Sequence, residues 1–165
     1  MASQLLDLLQ PGAPNLSLLA ILGAMGLAAL PHWYTIYLAE TNRVNGGWSN
    51  VNPRAYVLQL ATKVSAGGKL TPLEAKILRG QSAQANGFEN APLFGLVMLI
   101  GTYAKLPSHT LNRTAAFYLV CRAMFNYLYL TTTSKKNSYL RTVVFNAGVI
   151  ALLRIIVLST LQINN

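Results

Sequence analysis

Residues 79–94 read Arg79-Gly80-Gln81-Ser82-Ala83-Gln84-Ala85-Asn86-Gly87-Phe88-Glu89-Asn90-Ala91-Pro92-Leu93-Phe94, a polar and ionisable half followed by a hydrocarbon one. On a helix Arg79, Ser82, Asn86 and Glu89 share one stripe, because positions three and four apart stack above one another. Leu93, Phe94, Leu96, Val97, Met98, Leu99 and Ile100 continue the same helix as an apolar run. In a bilayer an ionisable side chain costs at least about 2.5–3.5 kcal/mol, so the polar stripe must face other helices or a wet pocket. Intramembrane polar groups of this kind mark a functional site. Arg122, Phe125, Asn126 and Tyr129 form a second polar and aromatic stripe at i, i+3, i+4 and i+7. Glu89 is the only carboxylate within reach of Arg122 inside an apolar span, and the two are expected to pair or to share a network. The lone Cys121 lies in an apolar run, so neither an intrachain disulfide nor a metal-ligand cluster is expected.

Asn86-x-x-Glu89-x-x-Pro92-x-Phe94, with Arg79 seven residues before Asn86, resembles the second-helix signature of the MAPEG superfamily. That group contains microsomal glutathione transferases, a leukotriene synthase, a prostaglandin E synthase and the lipoxygenase-activating protein. The resemblance in hydropathy covers nearly the whole chain. It implies an all-α integral membrane protein of the endoplasmic reticulum: a four-helix bundle, assembled as a homotrimer, with glutathione as cofactor. In that family glutathione is held in a U shape between neighbouring subunits near the cytoplasmic face.

Carried over residue by residue, the resemblance gives Asn86 and Glu89 contacts to the glutathione amine and backbone. It places Gln84 beside them, Arg43 near a carboxylate and Tyr129 as a contacting aromatic. Arg122 joins this set as a partner in the network. Arg141 matches, after a connection three residues longer, the arginine that holds the thiol in glutathione-activating members. Three positions depart from the pattern: Ser82 stands where active members often have an Arg, Phe125 where the eicosanoid enzymes have Tyr or His, and Asn90 where the leukotriene enzyme has Tyr.

The chemistry so implied needs no metal and no catalytic triad. A thiol with a pKa near about 8.5 is mostly protonated at neutral pH, and a neighbouring guanidinium favours its thiolate. Lowering that pKa by about two units takes roughly 2.7 kcal/mol, which an always-charged Arg supplies. The implied reaction is transfer to a lipophilic electrophile, or reduction of a lipid hydroperoxide, reached from the bilayer. The alternative is a non-catalytic lipid-binding or scaffold protein of the lipoxygenase-activating type, which Ser82 and Phe125 keep open.

Composition bounds the setting. Hydrophobic residues make up 53% of the 165 and charged ones 10%, against about 25% charged in soluble domains. That leaves too little polar surface for water and implies membrane lipids as partners. The length allows a single domain over residues 1–165. A net charge of +9 could suit nucleic acid, but the basic residues are dispersed between apolar spans. No nucleic-acid partner is expected, and attraction to an anionic membrane face accounts for the charge. No internal repeat or paired broken helices suggest a transporter.

Four spans follow, at about 16–39, 72–104, 110–131 and 138–163, each long enough to cross a core of about 30 Å. An amphipathic piece over residues 1–10 precedes the first. With no Lys or Arg before residue 31, a secretory signal peptide is not expected. Pro31 is expected to kink the first span, with His32 packed among interfacial aromatics. A short surface helix is predicted over 53–64, and Thr71-Pro72-Leu73-Glu74 is a capping box opening the second span. Pro92 frees the carbonyl of Phe88, and Ser138 is the predicted N-cap of the fourth span. Arg154 in that span is assigned to helix packing or snorkelling.

Arg43, Arg54, Lys63, Lys69, Lys76, Arg79, Lys135, Lys136 and Arg141 gather on one side, and Lys105 and Arg113 on the other. Nine against two puts the long connection in the cytoplasm and both termini on the non-cytoplasmic side. The sequons at Asn15 and Asn112 then fall on that side as well.

Overall fold

The computed structural model describes residue 7 and residues 9–164, so the piece expected over residues 1–10 lies largely outside the described residues. Among them the regular structure is helical throughout: α1 (Ala20–Thr41), α2 (Pro53–Ser65), α3 (Pro72–Tyr103), α4 (Ser108–Thr131) and α5 (Lys135–Ile163), with one 3₁₀ turn at Val44–Gly46.

The helix boundaries follow local chemistry. The Asn15 carboxamide oxygen accepts from both the Ser17 backbone N–H (3.0 Å) and the Ser17 hydroxyl (2.7 Å). That local capture competes with helix formation, and α1 starts at Ala20 rather than near residue 16. Asn52 caps α2 by accepting from Ala55 N at 3.1 Å, with Pro53 at the first position. The expected capping box opens α3: Thr71 Oγ1 accepts from Glu74 N at 3.2 Å, and Glu74 Oε2 accepts from Thr71 N at 2.8 Å. The start of α5 corrects the sequence reading. Its N-cap is Ser134, whose hydroxyl accepts from Asn137 N at 3.2 Å, while the Ser138 hydroxyl donates to Lys135 O. Ser134 is the residue with extended backbone, so it alone can cap. Arg141 therefore lies in the second turn of α5, not the first.

Pro31 sits inside α1, which runs on through it. Lacking an N–H, it leaves the carbonyl of Leu27 without its helical donor. Asn126 of α4 donates to that carbonyl at 2.7 Å, so a buried amide on the second polar stripe closes the gap.

The long helices α1, α3, α4 and α5 pack on one another, with α1 closest to α3. A Cβ on Gly87 would lie 2.7 Å from Ala28 Cβ and 2.8 Å from its Cα, and one on Gly80 would run into Thr35. Only glycine permits that approach. One core gathers Phe94, Val97, Met98, Leu111, Tyr118, Leu152 and Ile155, with the Phe94 and Tyr118 rings stacked 4.5 Å apart. A second, formed by Ala39, Trp48, Tyr56, Leu60 and Ile77, seats α2 against the ends of α1 and α3. Lys63 Nζ fastens α2 further, donating to both Glu74 oxygens at 2.9 Å.

The outer surface is apolar: Leu93, Leu96 and Leu99 of α3 and Phe117, Val120 and Met124 of α4 are exposed. Among the described residues α1 and α5 are long and apolar enough to cross a membrane. Four such spans are expected from the sequence. The polar stripes of α3 and α4 dilute their apolar runs, so those two do not meet that composition.

Candidate functional site

Where α3, α4 and α5 meet at their polar end, a cavity of about 460 Å³ is lined by Arg79 and Ser82 of α3, Tyr129 of α4, and Lys135, Ser138 and Arg141 of α5, among others. Three cations face it and no carboxylate does. The Arg141 guanidinium lies over the Tyr129 ring, 4.1 Å from its centroid. Arg79 Nη2 donates to Leu130 O at 3.3 Å, and its Nε is buried without a partner. A groove of this charge, with nothing of opposite sign on its walls, is built for an anion.

Deeper in the helices Arg122 is buried and donates to Asn86 Oδ1 at 2.8 Å. Its guanidinium lies 4.7 Å from the centre of the Phe125 ring and 5.9 Å from that of Phe145. Glu89 is expected to pair with Arg122 or to share its network; within the protomer Asn86 takes that place. Glu89 is exposed, and the ion pairs among the described residues are Lys63–Glu74 and a 4.0 Å contact between Arg43 and Glu40. Three residues turn a helix about 300°, so Glu89 sits roughly 60° around from Asn86. That rotation carries it past α4 to the protomer's surface.

Within one protomer, then, the structure joins Tyr129 with Arg141, and Asn86 with Arg122. The Asn86–Arg122 pair does not line the Arg141 groove, and neither do Glu89, Gln84 and Arg43. Gln84 lines a separate cavity of about 720 Å³ between α1, α2 and α3. Arg43 is exposed at the C-terminal end of α1 with a left-handed backbone, φ 50°. Arg79 was visible in the sequence as part of the motif but not as a groove cation. Lys135 was missed because its position depends on where α5 begins. A chain of hydrogen bonds from His32 through Gln81 to Thr35 was also missed: His32 Nδ1 to Gln81 Oε1 is 3.1 Å, and Gln81 Nε2 to Thr35 Oγ1 is 2.6 Å. A lone histidine among aromatics gives no sign of such a chain. A shallow apolar cavity of about 390 Å³ between α1 and α3, lined by Ile21, Met25, Phe88, Pro92, Leu96 and Leu99, completes the features of this region.

An all-helical membrane protein with a carboxylate-free cationic groove at one end is the class that fold and site define. The family model for the MAPEG family matches residues 18–161, from before α1 to the last turn of α5, and the chain belongs to that family. No curated protein and no solved structure matches it. Membership makes it a membrane protein of a glutathione-related family whose members use glutathione as substrate or cofactor.

Proposed function

We propose that the protein is a glutathione-dependent membrane transferase or peroxidase acting on a lipophilic electrophile, with Arg141 stabilising the thiolate. The observation that carries this reading is the groove itself, with Arg141 stacked on Tyr129, Arg79 and Lys135 beside it and no carboxylate on its walls. These residues fit a tripeptide bearing acidic groups and a thiol. Bound glutathione supplies the nucleophilic sulfur. Arg141 holds negative charge at that sulfur, and Tyr129 fixes the guanidinium from below. Asn86, oriented by Arg122, offers its amide to the peptide.

The reading includes a single domain built as a four-helix membrane protomer, assembled as a homotrimer in the endoplasmic reticulum with both termini on the non-cytoplasmic side. Glu89 supports the assembly. As an exposed carboxylate on a membrane helix, with Leu93 and Leu96 exposed on the turns beyond it, it would face lipid in a lone protomer at a cost of a few kcal/mol. A neighbouring subunit that covers Glu89 and contributes Gln84 and Arg43 removes that cost. Cross-linking in detergent is expected to trap trimers, and monomers alone would refute the assembly.

The decisive experiment mixes purified protein with glutathione and follows thiolate absorbance in the ultraviolet. Wild type should give the signal, and Arg141→Ala should lose most of it along with about a hundredfold in turnover, the equivalent of roughly 2.7 kcal/mol. Equal signal and turnover in both proteins would reject the role of Arg141. The second reading, a non-catalytic lipid-binding or scaffold protein, is favoured by the apolar groove between α1 and α3 and by Ser82, a hydroxyl where active members often carry a guanidinium. Under it no thiolate forms in either protein.

A further inference from the structure

The cavity of about 720 Å³ between α1, α2 and α3 does not include Arg141 or Tyr129 in its lining, and Ser82 stands between it and the cationic groove. Its walls are apolar where Val57, Leu58 and Ala61 of α2 face Ala85 of α3, and His32 and Gln84 bring polar atoms to it. Arg54 is its one ionised residue.

The hydrogen bonds around His32 fix which of its nitrogens carries the proton. The Thr35 hydroxyl donates its proton to the backbone, 2.8 Å from Pro31 O and 3.0 Å from His32 O. Its oxygen is therefore the acceptor for Gln81 Nε2 at 2.6 Å, which sets the orientation of that amide. Gln81 Oε1, 3.1 Å from His32 Nδ1, can only accept, so Nδ1 bears a hydrogen, and in the neutral imidazole Nε2 is the nitrogen with the lone pair. The Trp48 ring, 5.4 Å away and edge-on at 81°, holds the imidazole in place. Nε2 has no hydrogen-bond partner from the protein among the described residues.

We propose that this cavity binds an uncharged amphiphile with a hydroxyl head, whose O–H donates to His32 Nε2 while its apolar tail lies along Val57, Leu58 and Ala61. The polarity of the site selects the head. A carboxylate pairs with Arg54 but leaves Nε2, itself an acceptor, without a donor, whereas a hydroxyl serves both. An ammonium finds no carboxylate on these walls. A hydroxyl donates to Nε2 and accepts from Arg54. The tail needs a roof, and α2 supplies it: an amphipathic helix seated at the polar ends of α1 and α3, where a single-chain lipid enters from the interface. Occupancy is independent of thiolate formation at Arg141.

The test uses the full-length protein in lipid nanodiscs with Trp33→Phe, so that Trp48 on the cavity wall is the only tryptophan. Titration with ω-bromoundecanol should quench Trp48 saturably. His32→Phe keeps a ring against Trp48 but has no lone pair, and should leave only the linear quenching of probe dissolved in lipid. Gln81→Leu should weaken saturation as well, with an unchanged thermal midpoint showing that both variants fold. Saturable quenching in His32→Phe equal to the parent, or tighter saturation by ω-bromoundecanoate or the matching amine than by the alcohol, overturns the proposal. Nitrogen-15 histidine spectra with His109→Gln, which leaves one imidazole, should show hydrogen on Nδ1 and none on Nε2. The opposite tautomer overturns it too. Loss of glutathione thiolate absorbance with alcohol binding intact would count against Arg141 alone.

Discussion

The guanidinium of Arg141 and the ring of Tyr129 reach the cationic groove from different helices, and the guanidinium carbon lies over the ring, 4.1 Å from its centroid. A cation over an aromatic face gains about 0.5–2 kcal/mol according to how dry the site is. The stack therefore positions Arg141 as well as stabilising it. Tyr129→Phe should retain the stack and most thiolate absorbance. Tyr129→Leu should lower the thiolate signal about three- to thirtyfold, the range that this energy spans, and by less than Arg141→Ala. If Tyr129→Leu matches wild type, the ring does not position the guanidinium.

Arg122 depends on Asn86, and Glu89 does not share the load within the protomer. Hydrogen bonds to charged groups contribute about 1.5–3 kcal/mol. Asn86→Ala leaves a buried guanidinium without its 2.8 Å acceptor and should lower unfolding stability in detergent by about that amount. Glu89→Gln should change stability of the dissociated protomer little, yet weaken subunit association or the retention of glutathione. A stability loss for Glu89→Gln equal to that for Asn86→Ala would show that the carboxylate, not the amide, holds Arg122.

How far the sequence carried these conclusions depended on the range of the interaction. Local signals were legible: the Thr71–Glu74 capping box marks the start of α3, and the surface helix expected over 53–64 differs from α2 by one residue. The two polar stripes were legible as well, because helical spacing fixes which side chains share a face. The rotation of one stripe against the other was not. Glu89 and Asn86 differ by less than a fifth of a turn, and only the packing of α3 on α4 decides which of them meets Arg122. The same holds for Pro31: the sequence shows that Leu27 loses its donor, but not that Asn126 of α4 replaces it. Choosing Ser138 over Ser134 as N-cap was a local error, since both are serines followed by plausible helix.

Glu74 lies in the first turn of α3, whose 32 residues reach about 48 Å against a hydrocarbon core of about 30 Å, so this turn projects beyond the core. The Thr71 backbone N–H and then Lys63 draw its carboxyl from the ordinary 4.5 down to about 2. Because the folded state binds this proton less readily than the unfolded chain, the stabilisation is complete above about pH 4.5 and is lost as pH falls towards 2. Glu74→Gln should remove that dependence. The difference in thermal midpoint between wild type and variant should shrink over this interval, with residues 53–65 becoming more open to protease as Lys63 is released. A difference that stays constant with pH would mean that the carboxylate is not what anchors α2.

Nine basic residues against two support the proposed orientation, and both sequons lie on the side it assigns to the termini. The structure adds a reason for native glycosylation to be absent from either. Asn15 Nδ2, the atom a glycan would occupy, donates to Thr102 Oγ1 at 3.0 Å, and Asn112 Nδ2 donates to Pro14 O at 2.9 Å, with Asn112 buried. Both amides are engaged in joining the segment before α1 to α3 and α4, so an unmodified native chain says nothing about topology. A sequon in a free stretch does. One placed in a lengthened loop between Lys105 and Thr110 should be modified in microsomes, because that loop carries few basic residues and the proposed orientation puts it in the lumen. One inserted between Gly46, which is exposed, and Gly47, which is half-buried, should stay bare. The reverse pattern would place the Arg141 groove in the lumen and invert the orientation drawn from the basic residues.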